Sequence, residues 1–165
     1  MANDFFQYGS APPPPAPAAA RDSAPEGNRA ILGELSDEEW EKFIAFATRR
    51  RYPGGAVIVE AGQAGHALGF VASGTVEVVQ APLPGATEVP PPEARGEGDV
   101  FGMLGFLDGA PATVRVRARG SAEVLLLTRE ALLQLAAWQP RIALALMRDL
   151  GAAVAQRLRR VQGGD

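Results

Sequence analysis

The sequence predicts a mainly β fold with flanking α: a central block of short strands between one N-terminal helix and two C-terminal helices. Three observations carry this. Between Tyr52 and Leu127, β-branched and apolar residues come in short runs separated by glycine-bearing turns, as in a β-sandwich or closed roll. Before and after that block the apolar spacing lengthens to the helical period, with start signals at Ser36 and Pro140. The 165 residues are 47% hydrophobic and 21% charged, a globular balance that supports one core of ordinary size.

Residues 1–30 read as a disordered tail. Pro12 to Pro15, Pro17 and Ala18 to Ala20 show no periodicity and bury too little to offset the entropy of ordering. Proline stiffens the stretch into a semi-rigid spacer. At its tip, Phe5, Phe6 and Tyr8 form a candidate docking peptide for a protein partner; the plainer alternative is a frayed terminus that contains aromatics. Residues 31–165 are then the folded domain.

Its first helix is announced by a capping box, Ser36 with Glu39, and by Asp37 and Glu38 at the positive end of the dipole. Leu35 and Trp40 are spaced as a hydrophobic staple. Trp40, Phe43, Ile44 and Ala47 form a buried stripe, and the helix is expected to end in Arg49-Arg50-Arg51, where cations suit its negative end. Strands are expected over 56–59, 70–72, 75–79, 113–116 and 123–127. Between the hairpins, Pro90-Pro91-Pro92 cannot donate to a ladder, so a strand there is short or lost at an edge. Thr128 caps a short helix over 131–135. Pro140 opens a long one reaching about Val161.

Along that last helix Met147, Leu150, Val154, Arg157 and Val161 recur at spacings near 3.5, beside Leu146 and Leu158. The stripe suits either packing on the strands or pairing with a second copy. Met147, Leu150, Val154 and Val161 are the candidate dimer seam, with Arg157 weakening it. The chain ends four residues later, and no further domain is expected there.

Composition also excludes functions. There is no cysteine, and His66 is the one histidine, in a loop, where solvation is the ordinary role. No Ser/His/Asp set or ligand cluster is apparent, so no enzyme, metal or cofactor is expected. The net charge of −3 argues against a nucleic-acid protein. Signal-peptide pattern and long apolar runs are both lacking, so a cytoplasmic, membrane-free protein is expected.

A family pattern then emerges from the glycines. Gly55-Ala56-Val57-Ile58-Val59-Glu60-Ala61-Gly62-Gln63-Ala64-Gly65 and Gly69-Phe70-Val71-Ala72-Ser73-Gly74-Thr75-Val76-Glu77-Val78 resemble the opening strand, turn and hairpin of cyclic nucleotide-binding domains of the catabolite-activator type. Gly98-Asp99-Val100-Phe101-Gly102 resembles the entrance to that family's phosphate-binding cassette. Gly109-Ala110-Pro111-Ala112-Thr113-Val114-Arg115-Val116-Arg117-Ala118 resembles its exit. The resemblance implies an eight-stranded, jelly-roll-like double-stranded β-helix, and a ligand pocket at Phe101, Gly102, Met103, Leu104, Ala112 and Thr113.

It also implies what the pocket should contain. In the family a glutamate after Phe-Gly accepts from the ribose, and an arginine after the exit proline pairs with the phosphate. Here Met103 and Ala112 stand at those positions. Arg115 and Arg117 alternate with Val114 and Val116, so both face away from the core and are expected to be solvated. The family's ligand works through a hinge between cassette and last helix, and its transcription factors continue into a helix-turn-helix. With neither reader in place, the expectation is a non-enzymatic regulatory or adaptor module working through protein partners, without usual cAMP or cGMP sensing and without direct DNA contact. A weak anion or cyclic-nucleotide sensor using the cassette backbone, and a transcription-regulator relative lacking its DNA-binding part, are the alternatives.

Overall fold

Alternation of buried and exposed residues over 114–119 of one long strand sets the two faces of the sheet. The computed structural model describes residues 31–64, 67–82 and 84–163. It divides into two compact units, a sheet unit over 49–129 and a helical unit formed by 31–48 with 130–163. The elements in order are α1 (Asp37–Ile44), β1 (Thr48–Tyr52), β2 (Val57–Val59), β3 (Leu68–Gln80), β4 (Glu93–Arg95), β5 (Val100–Phe101), α2 (Met103–Asp108), β6 (Val114–Leu127), α3 (Arg129–Trp138) and α4 (Pro140–Gly163).

In β6 the buried Val116 and Ala118 alternate with exposed Arg115, Arg117 and Arg119, so one face looks to the core and the other to solvent. β3 runs antiparallel to it along its whole length, and the path through the sheet is β1-β6-β3-β4, with β2 on β6 and β5 on β3. Val71, Val76, Phe101, Val116, Ala118, Ala122 and Val124 form the core cluster of this unit.

Among the described residues the sheet has six strands, not the eight expected. The difference lies in β3 and β6, each of which runs unbroken through a place where glycine suggested a turn. Gly74 (φ 77°) and Gly120 (φ 68°) make local bends within continuous strands, and the register shifts between Val71 and Thr75 absorb the extra residues as bulges. A bulge bends a strand without ending it. β4 is three residues long, follows the three prolines and pairs with β3 at the end of the path, the short edge strand expected.

The arginine triplet departs from the expectation. α1 stops at Ile44, tight turns follow (Phe46 N–H to Phe43 O and Ala47 N–H to Ile44 O, both 3.0 Å), and Arg49 to Arg51 lie in β1. A helix would spread three consecutive arginines around its axis. A strand puts Arg49 and Arg51 on one side, and both reach Glu123, at 3.2 and 2.9 Å.

In the helical unit the capping box forms as expected, Ser36 Oγ accepting from Glu39 N–H and Glu39 Oε2 from Ser36 N–H. Phe43 is fully buried, with the Trp40 ring edge-on at 5.2 Å. α3 begins directly after Thr128, and α4 begins at Pro140. Leu32 is the one described non-glycine residue with positive φ, 59°. Its amide donates to Asp149 Oδ2 at 2.9 Å, and Asp149 is only 8% exposed. Arg148 lies 3.6 Å from the other carboxylate oxygen and 3.3 Å from Glu34. Together these contacts clasp residues 32–34 to the middle of α4. Asp149→Ala is expected to lower stability by ~2 kcal/mol, because a buried amide loses its charged acceptor. Asp149→Asn should cost less, and urea unfolding of the two variants checks the order.

Candidate functional site

Two glycines shape the entrance to the cassette. Phe101 is paired with Gly69 across β5 and β3, and its ring lies where a Gly69 side chain would have to be. Only glycine leaves that space to the ring. Gly102 follows with φ 76°, and a Cβ on it would come within 2.8 Å of Ala67 O. Both its conformation and its neighbour exclude a side chain. That left-handed residue turns the chain from β5 into α2.

α2 is six residues long. Phe106 anchors it in the interior, and its amide bonds to Gly102 O at 3.1 Å. No side chain caps its first amides, since the N-cap is Gly102 itself. Gly109 (φ 76°) closes it with an N–H to Gly105 O, and the Arg129 guanidinium lies over Gly109 at the negative end of this short helix. Asp108 Oδ1 then accepts from Ala110 N–H at 2.8 Å, two residues on.

The exit is held by its backbone. Ala112 O accepts from Gly62 N–H at 2.7 Å, and Ala112 N–H donates to Gln63 O at 3.1 Å. The 60–63 turn is itself closed by Gln63 Oε1, which accepts from Glu60 N–H. The Cα of residue 112 is thereby fixed, and what projects from it is a half-buried methyl group. Met103 is half-buried, Leu104 is exposed and Thr113 is exposed. The named positions therefore bring methyl, thioether and isobutyl groups, with the Thr113 hydroxyl, to this region.

Arg115 and Arg117 are paired on the exposed face of the sheet. The first donates through Nε to Glu60 at 2.7 Å, the second through Nε to Glu77 at 2.8 Å, both on the exposed face of β6. Their alternation with Val114 and Val116 already put them on that face. Their carboxylate partners were not apparent from spacing, because Glu60 and Glu77 stand 55 and 40 residues away.

The expected dimer seam divides. Leu150 is fully buried, whereas Met147 is 39% and Val161 74% exposed, with Val154 between these extremes. Leu144 and Leu158, outside the expected seam, are 71% and 54% exposed. Phe5, Phe6, Tyr8 and His66 lie outside the described residues. Among the described residues no group of acidic and histidine side chains could hold a metal ion, and no helix is long and apolar enough to cross a membrane.

Comparison with known proteins gives the family of this fold. Residues 49–137 match the family model of the cyclic nucleotide-binding domain. The cyclic AMP receptor protein of Thermus thermophilus is 34% identical over 125 residues, 76% of this chain and 55% of that protein, so the chain spans about half its relative's length. The crystal structure of the Thermus thermophilus catabolite activator protein superposes with a TM-score of 0.70 at 31% identity, over 81% of this chain and 60% of that one. A cyclic nucleotide-binding domain from Methylobacillus flagellatus gives 0.69 at 23% identity, over 81% and 74%, a likeness of fold alone.

Proposed function

The chain belongs to the cyclic nucleotide-binding domain family, and within it we propose a non-enzymatic regulatory or adaptor module that acts through protein partners and does not sense cAMP or cGMP in the usual way. One observation carries this reading: Ala112, whose backbone is held from both sides, projects a methyl group where the family's phosphate-reading arginine belongs. Met103, in the glutamate position, likewise offers a ribose no acceptor. The nearest arginines along the chain, Arg115 and Arg117, are engaged by Glu60 and Glu77 on the exposed face.

Losing a charge-assisted pair (~1.5–3 kcal/mol) and a ribose hydrogen bond (~1 kcal/mol) corresponds to at least about a hundredfold in affinity. The backbone amides of α2 are the basis of the alternative sensor reading. Thermal unfolding with cAMP separates the two. A site occupied at a hundredfold excess over its Kd would add about 2.7 kcal/mol and raise Tm by several degrees. The proposed function predicts no shift at millimolar cAMP or cGMP, and a shift of several degrees would refute it.

Partners are proposed at two places. The aromatic tip at Phe5, Phe6 and Tyr8 is one. The other is α4, whose accessible side supports a revised homodimer seam. Leu144, Met147, Gly151, Val154, Leu158 and Val161 follow each other at intervals of three, four, three, four and three residues, the heptad repeat of a coiled coil. Ile142, Ala143, Leu146, Asp149 and Leu150 are the buried side of the same helix. Arg157 falls outside this seam, so no charge interrupts it. Sedimentation should give twice the chain mass, and Leu158→Glu with Val161→Glu should give a folded monomer. A wild-type monomer at tens of micromolar would discard the seam.

A further inference from the structure

The solvent face of β6 carries an arrangement that the cassette leaves unexplained. Glu77, on β3, is in register with Arg117 and accepts from its Nε at 2.8 Å, with Arg119 Nε 3.6 Å from its other oxygen. Further along β6, Glu123 takes Arg51 Nε at 2.9 Å and an Arg49 terminal nitrogen at 3.2 Å. Arg115 adds its own pair with Glu60.

The layering matters. The Glu77 and Glu123 side chains are 17% and 12% exposed, while those of Arg117, Arg119 and Arg51 are 44%, 66% and 82% exposed. These two carboxylates thus lie beneath guanidinium groups, and the outer layer is cationic. Five arginines share three carboxylates, a surplus of two positive charges on a chain whose net charge is −3. Arg51, Arg115, Arg117 and Arg119 each turn Nε toward this surface. Among the described residues they make no other ion pair, which leaves their terminal nitrogens for a partner.

We propose that this arginine face is a docking surface for an extended acidic segment of a protein partner, carrying Asp or Glu at alternate positions. Arg115, Arg117 and Arg119 are spaced two residues apart on a strand, about 6.6–6.8 Å per step. Alternate side chains of an extended peptide have the same repeat, so carboxylate and guanidinium can meet pair by pair. The Arg115 and Arg117 guanidiniums, held at Nε, offer preoriented edges suited to a carboxylate, and Arg119 adds its charge beside them. A surplus of two charges matches a short acidic segment. Duplex nucleic acid, with one charge per ~1.7 Å of axis, would meet too few cations here and an overall negative chain. The inference rests on the adaptor reading only in taking the partner to be a protein.

Fluorescence anisotropy of the full chain with a labelled Glu-Ser repeat peptide tests it, with a Gln-Ser repeat and a short single-stranded oligonucleotide as competitors. The peptide should bind in a salt-dependent way and outcompete both. Arg115→Gln with Arg117→Gln and Arg119→Gln should weaken it by about tenfold or more, since charge-assisted contacts are lost. Arg157→Gln with Arg159→Gln, on α4, should leave it unchanged. Should the triple glutamine variant not fold, the triple lysine variant keeps the charge, loses the fork and should still bind several-fold more weakly. No peptide binding, binding indifferent to these substitutions, or preference for the oligonucleotide overturns the proposal. A cAMP titration of the same samples reads the adaptor function separately: cAMP binding would sink that reading and leave the arginine face standing, and loss of peptide binding alone would do the reverse.

Discussion

Replacing Gly69 with valine is expected to destabilise the sheet unit by about 3 kcal/mol or more, among the largest effects of any single substitution at the cassette. The new side chain would enter the space of the Phe101 ring, which lies directly across β3 and β5. Phe101 is 4% exposed and belongs to the core cluster, so it has little room to move aside. Phe101→Ala alone should also cost about 3 kcal/mol by opening a cavity. The two losses should not add. In the double variant the introduced valine side chain occupies part of the vacated volume, and the coupling should be about 1 kcal/mol or more in favour of the pair. Urea unfolding of the wild type, the two single variants and the double variant measures it; strict additivity would mean that the ring does not lie on Gly69.

The second large effect is a gain. Under the proposed function, Met103→Glu with Ala112→Arg should raise affinity for cAMP by about a hundredfold or more, by supplying both of the family's side-chain readers. The scaffold favours it. Ala112 is fixed by bonds to Gly62 and Gln63, so a longer side chain starts from a defined backbone, and Gly102 still turns the chain into α2. Each single variant should recover only part of the affinity, because one group reads the ribose and the other the phosphate. Ala112→Arg should contribute more, since the charge-assisted contact is the stronger.

The turns at both ends of α2 were legible in the sequence because their shape is written in residues with one structural reason to be present. Gly102 and Gly109 have positive φ, a conformation that side chains rarely adopt without strain. The core side of β6 was legible for a similar reason: valine and arginine alternate, and only one of them can be buried. The arginines of β1 were not. Thr-Arg-Arg-Arg-Tyr has no apolar alternation, and the carboxylate that gathers its arginines lies 72 residues away from Arg51. Continuity of β3 and β6 was hidden because a glycine in a bulge and a glycine in a turn look alike in sequence. On α4 two apolar stripes overlap, and spacing alone cannot say which one faces the core. Burial of Leu150 beside exposure of Leu158 decides it. The clasp at Asp149 was invisible for a third reason. An aspartate in an amphipathic helix reads as solvated, and its partner amide at Leu32 lies 117 residues earlier.

Centrally, the chain keeps the family fold, and the proposed function takes Met103 and Ala112 to stand where the family's two cyclic-nucleotide readers belong. Calorimetric titration of cAMP into the unmodified chain and into the Met103→Glu, Ala112→Arg variant tests this most directly. The expected result is no saturable heat at micromolar concentration for the first and a one-to-one isotherm for the second. Micromolar binding by the unmodified chain would contradict it.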